Sequence, residues 1–398
     1  MEVATEPYPL YNRTYHLYRV SPLHHGDSPL LQDQSLRTHA QRLRSRLKGD
    51  SIRGVEVDFV GTEGALPNLG PLERCNWDII GDEDAWIEKQ RQLVDPDASE
   101  VAASVAPEQA RGLDISLEYE RTSYNALLLR DPGTTSSPEG FTSLPLLMIK
   151  MPAPIREVVL NYLRTTFDAH ISPLKLAPSF LTSTLETYFR HLGASTSTQP
   201  IRDVIRQLQL QLSFPTSTTL LKHLDITIAT HDVTGFVTRG KRIANSTQTP
   251  FTSAISHYLR KHLALNLSHP KVQISKVTCG AFTLATDRLK LLVPDISDTS
   301  TTEDNDIPDL SPSQAAAEEF YTALVREATG TGKFLAQELA PVRASSPPSS
   351  DGNAALPEGR GRKRAVSTTG SVNNNSKRSR ARGKENGRAS QDVNMGGL

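Results

Sequence analysis

The chain has 398 residues in which 44 Lys and Arg balance 44 Asp and Glu, so its formal net charge is zero. That average hides a segregation. Residues 341–398 carry eleven bases against four acids, a net +7, which leaves 33 against 40, or −7, for residues 1–340. Two cysteines, Cys75 and Cys279, are too few for a disulfide framework or a cysteine metal site, and the expectation is two buried, reduced thiols.

Residues 1–10 are acidic and proline-bearing without an apolar core, so they do not read as a secretory signal. The longest apolar stretch, 144–155, is broken by Lys150, Pro152 and Pro154 and falls far short of the roughly 20 residues of a membrane span. The expectation is a soluble intracellular protein with no membrane association.

In chain order, Tyr15 to Val20 alternates as a strand that stops at Ser21-Pro22. A helix follows over 36–48. Leu36, Ala40, Leu43 and Leu47 recur on its apolar face, and Arg37, Arg42, Arg44, Arg46 and Lys48 take the others. Short strands are predicted at 55–60 and 75–80, and residues 82–110 read as an acidic, irregular surface insertion. Residues 113–120 and 124–130 alternate about a short turn, as a hairpin does. The run 144–151 reads as a buried strand that delivers the chain to Pro152-Ala153-Pro154. Proline opens a helix there with Ile155, Val158, Val159, Tyr162 and Leu163 as its stripe, and Pro178 opens the next with Leu181, Leu185, Tyr188 and Leu192.

Residues 201–208 fit a helix that passes into a strand at Leu208, Leu210 and Leu212, paired with a second strand over 223–230. A helix is predicted over 250–265, then two or three strands between Val272 and Val293. The order of these elements predicts an antiparallel sheet with a helix across one face. Residues 295–309 hold six carboxylates and no base and read as a solvated linker, because calcium-loop spacing is absent. A last helix is predicted after Ser311-Pro312, with Phe320, Tyr321, Leu324 and Val325 to bury.

The fold class is therefore α+β, divided into an N-terminal mixed domain over 1–199 with its insertion near 82–110, a C-terminal sheet and helix module over 200–293, an acidic linker and helix over 294–340, and a disordered basic tail over 341–398. The tail cannot offset its chain entropy because it has scarcely any large apolar residue. Its clusters Arg360, Arg362, Lys363, Arg364 and Lys377, Arg378, Arg380, Arg382, Lys384 suit nuclear import ahead of specific DNA reading. Gly359-Arg360-Gly361-Arg362 is akin to the core of a minor-groove hook without its usual proline. Lys384-Glu385-Asn386 matches the three-residue degron read by the mitotic ubiquitin ligase.

No catalytic, metal or cofactor site is expected. Gly330-Thr331-Gly332-Lys333 lacks the first glycine and the final hydroxyl of a phosphate loop, since Glu327 and Phe334 stand at those positions. His24-His25 beside Asp27 has no third ligand at a recognised spacing, and Glu118 with Glu120 reads as a solvated strand face.

Several segments in order resemble the CENP-L family of inner-kinetochore subunits, in its fungal branch named Fta. They are Tyr11-Asn12 through Leu17-Tyr18-Arg19-Val20-Ser21-Pro22-Leu23, Arg53-Gly54-Val55, 72–77, and Leu144-Pro145-Leu146-Leu147 through Met151-Pro152 with Phe167-Asp168. The resemblance implies a non-enzymatic subunit of the constitutive centromere-associated network, with a curved antiparallel sheet similar to that of the TATA-binding protein. It further implies a heterodimer with a CENP-N-like protein through the C-terminal sheet, contact with a CENP-C-like scaffold, and attachment to centromeric nucleosomes and DNA. The implied place is the nucleus, at the centromere and kinetochore.

Two surfaces are expected on this reading. Val272, Ile274, Phe282, Leu284, Leu289, Leu291 and Val293 lie on the last strands before the acidic linker and are expected to form an uncovered intermolecular edge. Arg37, Arg42, Arg44, Arg46, Lys48 and Arg53 form a dense basic cluster expected in part to face DNA. The alternative is a DNA-binding or chromatin regulator that acts through its basic tail.

Overall fold

The computed structural model describes residues 7–48, 69–94, 105–131, 137–194, 207–214, 221–243, 248–293 and 312–330. The predicted strand at 55–60, the helix at 201–206, the acidic linker and the whole basic tail lie outside them. Within residues 1–339, a single unit, thirteen strands and seven helices are described.

The strands are β1 (Thr14–Val20), β2 (Leu23–His24), β3 (Leu72–Ile80), β4 (Gly112–Tyr119), β5 (Thr122–Leu129), β6 (Phe141–Thr142), β7 (Leu146–Lys150), β8 (Ile171–Pro173), β9 (Gln207–Ser213), β10 (His223–Ala229), β11 (Gln273–Thr278), β12 (Phe282–Ala285) and β13 (Arg288–Leu291). The helices are α1 (Asp33–Leu47), α2 (Glu83–Val94), α3 (Ala153–Phe167), α4 (Pro178–Ala194), α5 (Thr230–Lys241), α6 (Pro250–Leu263) and α7 (Pro312–Thr329). Eleven strands form one sheet in the order β10-β9-β11-β12-β13-β1-β7-β5-β4-β3, with β8 paired to β1 off that path. Every ladder between these strands is antiparallel.

Both faces of the middle of the sheet are buried, which explains the unbroken apolar run of β7 and the continuous burial from Asn125 to Leu129 in β5. Alternate residues along each strand serve opposite cores. Leu146 and Met148 of β7, with Leu127 and Leu129 of β5, join a core that includes α4 and α7; Leu147, Ile149, Ala126 and Leu128 join the other, which includes α1 and α3. On the second side, Trp77, Tyr162 and Phe167 cluster about His39, whose Nδ1 lies 2.9 Å from the Tyr162 hydroxyl. Burial, helped by Arg42, holds that imidazole below its ordinary pKa.

Helix α7 is fastened across the first side by polar contacts. Arg111 pairs with Glu318 at 2.8 Å and lies over the Tyr321 ring, Tyr321 donates to the Arg130 carbonyl at 2.7 Å, and Arg19 donates to the Glu327 carbonyl at 2.8 Å. Its apolar side buries Phe320, which stacks on Phe282, together with Leu324 and Val325.

The structure adds to the sequence-based expectations in three places. Pairing of β13 with β1 joins strands from residues 1–199 and from residues 200–293 in one continuous sheet. The insertion at 82–110 begins with an ordered helix, α2, whose Asp82 side chain accepts the Ala85 N–H at 2.9 Å as an N-cap. Trp86 and Glu83 tie that helix to Tyr8 and Tyr11.

The third is α5, a helix formed where local sequence signals none. Gly235, Gly240 and the β-branched Val233, Thr234, Val237 and Thr238 give this segment low intrinsic helix propensity. Packing supplies what propensity lacks: Phe236 meets Phe251 and Tyr258 edge-on, and a side chain at Gly240 would collide with the Pro250 carbonyl oxygen at 1.8 Å. Only glycine lets the end of α5 abut the start of α6. Helix α6 is capped from another element, as Glu186 of α4 accepts the Thr252 N–H at 2.5 Å and the Phe251 N–H at 3.4 Å. Burial raises the Glu186 pKa, and those amides oppose the rise.

Candidate functional site

The residues expected to form an uncovered edge lie inside the sheet instead. Strand β11 pairs β9 on one side and β12 on the other, and β13 pairs β12 and β1. Ile274, Phe282, Leu284, Leu289 and Leu291 are buried, Val272 is half-buried and Val293 is exposed. The expectation assumed that the last strands in sequence are the last in space, and the N-terminal β1 overturns it by covering β13.

The edges of the described sheet are β3 and β10. Residues 49–68, next to β3, lie outside the described residues, whereas β10 presents a legible pattern. The Phe214 N–H donates to the Lys222 carbonyl, which fixes the phase of the β9–β10 ladder. Residues 224, 226 and 228 then exchange hydrogen bonds with β9, while the N–H groups of His223, Asp225, Thr227 and Ala229 point outward. Among the described residues no strand pairs with that outer side. Leu224, Ile226 and Ile228 turn inward onto the core, and the other four residues are exposed. The alternation was legible in the sequence, but its place at the end of the sheet was not.

The basic cluster of α1 is exposed at Arg37, Arg42, Arg46 and Lys48. Arg53 lies outside the described residues. Arg44 is partly committed within the fold, since it donates to the Glu73 carbonyl at 2.6 Å. Arg46 donates to the Thr165 hydroxyl at 3.1 Å and lies over the Tyr162 ring. If α1 contacts duplex DNA, glutamine at Arg37, Arg42 and Lys48 flattens the log-log salt dependence by about 0.9 per lost phosphate contact. Binding titrations between low and high salt on a chain lacking 341–398 check this, and an unchanged slope makes the cluster a solvated surface.

The segments considered for catalysis have ordinary structural partners. His24 packs on Phe141, His25 Nδ1 lies 3.0 Å from the Gly26 carbonyl, and Glu118 reaches Arg74 at 4.0 Å. Cys75 and Cys279 are free and buried, and burial pushes their thiols up to about 12 and about 11. At neutral pH they are protonated and poor nucleophiles. Among the described residues no group of three His, Cys, Asp or Glu could hold a metal ion, and no helix is long and apolar enough to cross a membrane.

Comparison with protein families places the chain in one of them. No curated protein matches the chain. The family model for CENP-L, centromere protein L, matches residues 9–329, from the residues before β1 to the end of α7. That span takes in every described strand and helix, and the chain belongs to the CENP-L family of structural kinetochore and centromere components.

Proposed function

We propose that this chain is a non-enzymatic structural subunit of the inner kinetochore, which pairs with a CENP-N-like protein and so supports attachment to centromeric nucleosomes during chromosome segregation. The family match carries the reading. Its mechanical support is the outer edge of β10, unpaired among the described residues, a backbone surface suited to adding a partner strand. The β10 edge replaces the buried strands as the proposed docking line. A CENP-C-like scaffold and centromeric DNA belong to the same reading, with α1 as the body's proposed DNA-facing element, and so does a likeness to the sheet of the TATA-binding protein.

Affinity isolation of the full-length chain from nuclear extract tests the proposal. A CENP-N-like protein should accompany it in equal amount, through an interface of roughly 1,600 Å² or more in total. Isolation without such a subunit overturns the pairing.

The basic clusters from Arg360 to Lys384 give the tail a separate role in nuclear import. Deleting 341–398 should leave the melting transition of the body unchanged and lower nuclear accumulation, as fluorescence microscopy at native expression would register. Unchanged accumulation removes the import role.

A further inference from the structure

Between Asp232 and Asp287 the chain has no acidic residue, while Arg239, Lys241, Arg242, Arg260, Lys261, Lys271 and Lys276 all fall within that interval. The body as a whole is acidic, so this is a local reversal of charge. Among the described residues none of these seven is in an ion pair. The reversal coincides with a concavity. A groove of about 570 Å³ runs along α6 between the start of α4, the loop after α6 and the start of β11.

Its floor and its rim differ in chemistry. Ile243, Leu267, Val272 and Ile274 supply apolar surface, and Ile243 is 38% exposed. Ser179, Thr182, Ser253, Ser256, Asn266 and Gln273 supply hydroxyl and amide groups along the walls. Arg260 and His257 lie on the exposed rim, and Lys271 adjoins Val272. The one carboxylate buried against this helix, Glu186, is occupied in capping α6 and does not neutralise the rim.

The loop wall is held in shape before any ligand arrives. Ala264 adopts a left-handed φ of 53°, and the Leu265 N–H donates to the Leu259 carbonyl at 3.2 Å. The Asn266 side chain accepts the Ser268 N–H at 3.0 Å, His269 Nδ1 accepts the Lys271 N–H at 3.2 Å, and the Gln273 side chain donates to the Pro270 carbonyl at 3.1 Å. A wall fixed in this way costs a ligand little ordering entropy.

We infer that this groove docks an extended acidic segment of a partner protein, with an aliphatic side chain on Leu267, Val272 and Ile274 and flanking carboxylates toward Arg260, His257 and Lys271. The stretch of α6 from Thr252 to Arg260 spans about 12 Å at ~1.5 Å per residue, close to four residues of extended chain at ~3.3 Å each. Hydroxyl and amide walls suit the main-chain donors and acceptors of such a segment. A nucleic-acid backbone would use the charged rim and leave the apolar floor empty. The inference is independent of the β10 edge and of any pairing through it.

Selection from a phage library of random twelve-residue peptides on the full-length chain tests it, with fluorescence anisotropy on the enriched peptides. Enrichment of sequences that combine several Asp or Glu with an aliphatic residue is expected. Arg260→Glu with Lys271→Glu should weaken such a peptide about tenfold or more, because charge-assisted contacts become repulsive. Ser256→Trp should weaken it as much by filling the groove without altering charge. Arg37→Glu with Arg42→Glu, an equal charge change on the remote α1, should leave affinity within a factor of two. Thermal melts that match the wild type confirm that each variant is folded. Neutral or basic enriched sequences overturn the inference, as does full binding by the Ser256→Trp protein. Competition by duplex DNA that is itself indifferent to Ser256→Trp would mark the rim as a general polyanion surface and overturn the peptide assignment.

Discussion

Aspartate at Leu289 or Leu291 abolishes the folded state of the chain, with loss of the cooperative thermal transition and of near-ultraviolet circular dichroism. Both side chains are buried, and their strand β13 is held between β12 and β1. Removing a buried leucine forfeits about 2–3 kcal/mol of apolar burial, and an unpaired carboxylate in its place adds several kcal/mol of desolvation. The total is comparable with the roughly 5–15 kcal/mol that separates folded from unfolded domains. Leu289→Ala is milder, at about 2–5 kcal/mol, and should lower the melting temperature without abolishing the transition. Val293→Asp serves as the control, since Val293 is 41% exposed and tolerates charge. A Leu289→Asp protein that stays folded and fails only in partner binding would restore the edge that the sheet order removes.

That contrast locates what sequence could and could not carry. Local signals were sufficient wherever a residue's neighbours in sequence are also its neighbours in space. Proline at the start of α3, α4, α6 and α7, the hairpin of β4 and β5, and the alternating leucines of β9 were all legible for that reason. Two-sided burial was half-legible at β7, whose unbroken apolar run announces a covered strand without naming what covers it, and not at β5, which reads as an alternating hairpin strand.

The order of strands was not legible. Register of Tyr15 opposite Leu289 links residues almost a whole body apart, and no short-range pattern records it. Chain order is a fair guide to spatial order in antiparallel sheets, but here the N-terminal strand takes a place between the two halves. Helix α5 escaped for a different reason. Its glycines and β-branched residues argue against a helix locally, and tertiary contacts stabilise it, those of Phe236 and Gly240 with α6 and the burial of Val233 in the core. The edge at β10, unpaired among the described residues, was hidden with the strand order, because an edge is defined by what does not pair with it.

Proline at both Asp225 and Thr227 is expected to weaken pairing with the CENP-N-like subunit by about tenfold to a hundredfold while the body stays folded. The phase of the β9–β10 ladder puts both N–H groups on the outer side, so neither substitution removes a backbone hydrogen bond to β9, and Asp225→Pro gives up only the exposed bond its carboxylate accepts from the Gln211 side chain at 2.9 Å. Two donors to an added strand are lost at about 1 kcal/mol each, where 1.4 kcal/mol is a factor of ten, and the proline rings also obstruct the approaching backbone. Ile226→Pro supplies the opposite case. It removes a bond to β9 and disturbs a side chain that packs on the core, so it should lower the melting temperature. Both arms are read by affinity isolation from nuclear extract and by thermal melting. Should the Asp225→Pro, Thr227→Pro protein recover its partner at wild-type stoichiometry and affinity, the partner does not extend the sheet at β10. The pairing would then have to use β3 or a helical face, and the sheet edge would lose its place in the proposed function.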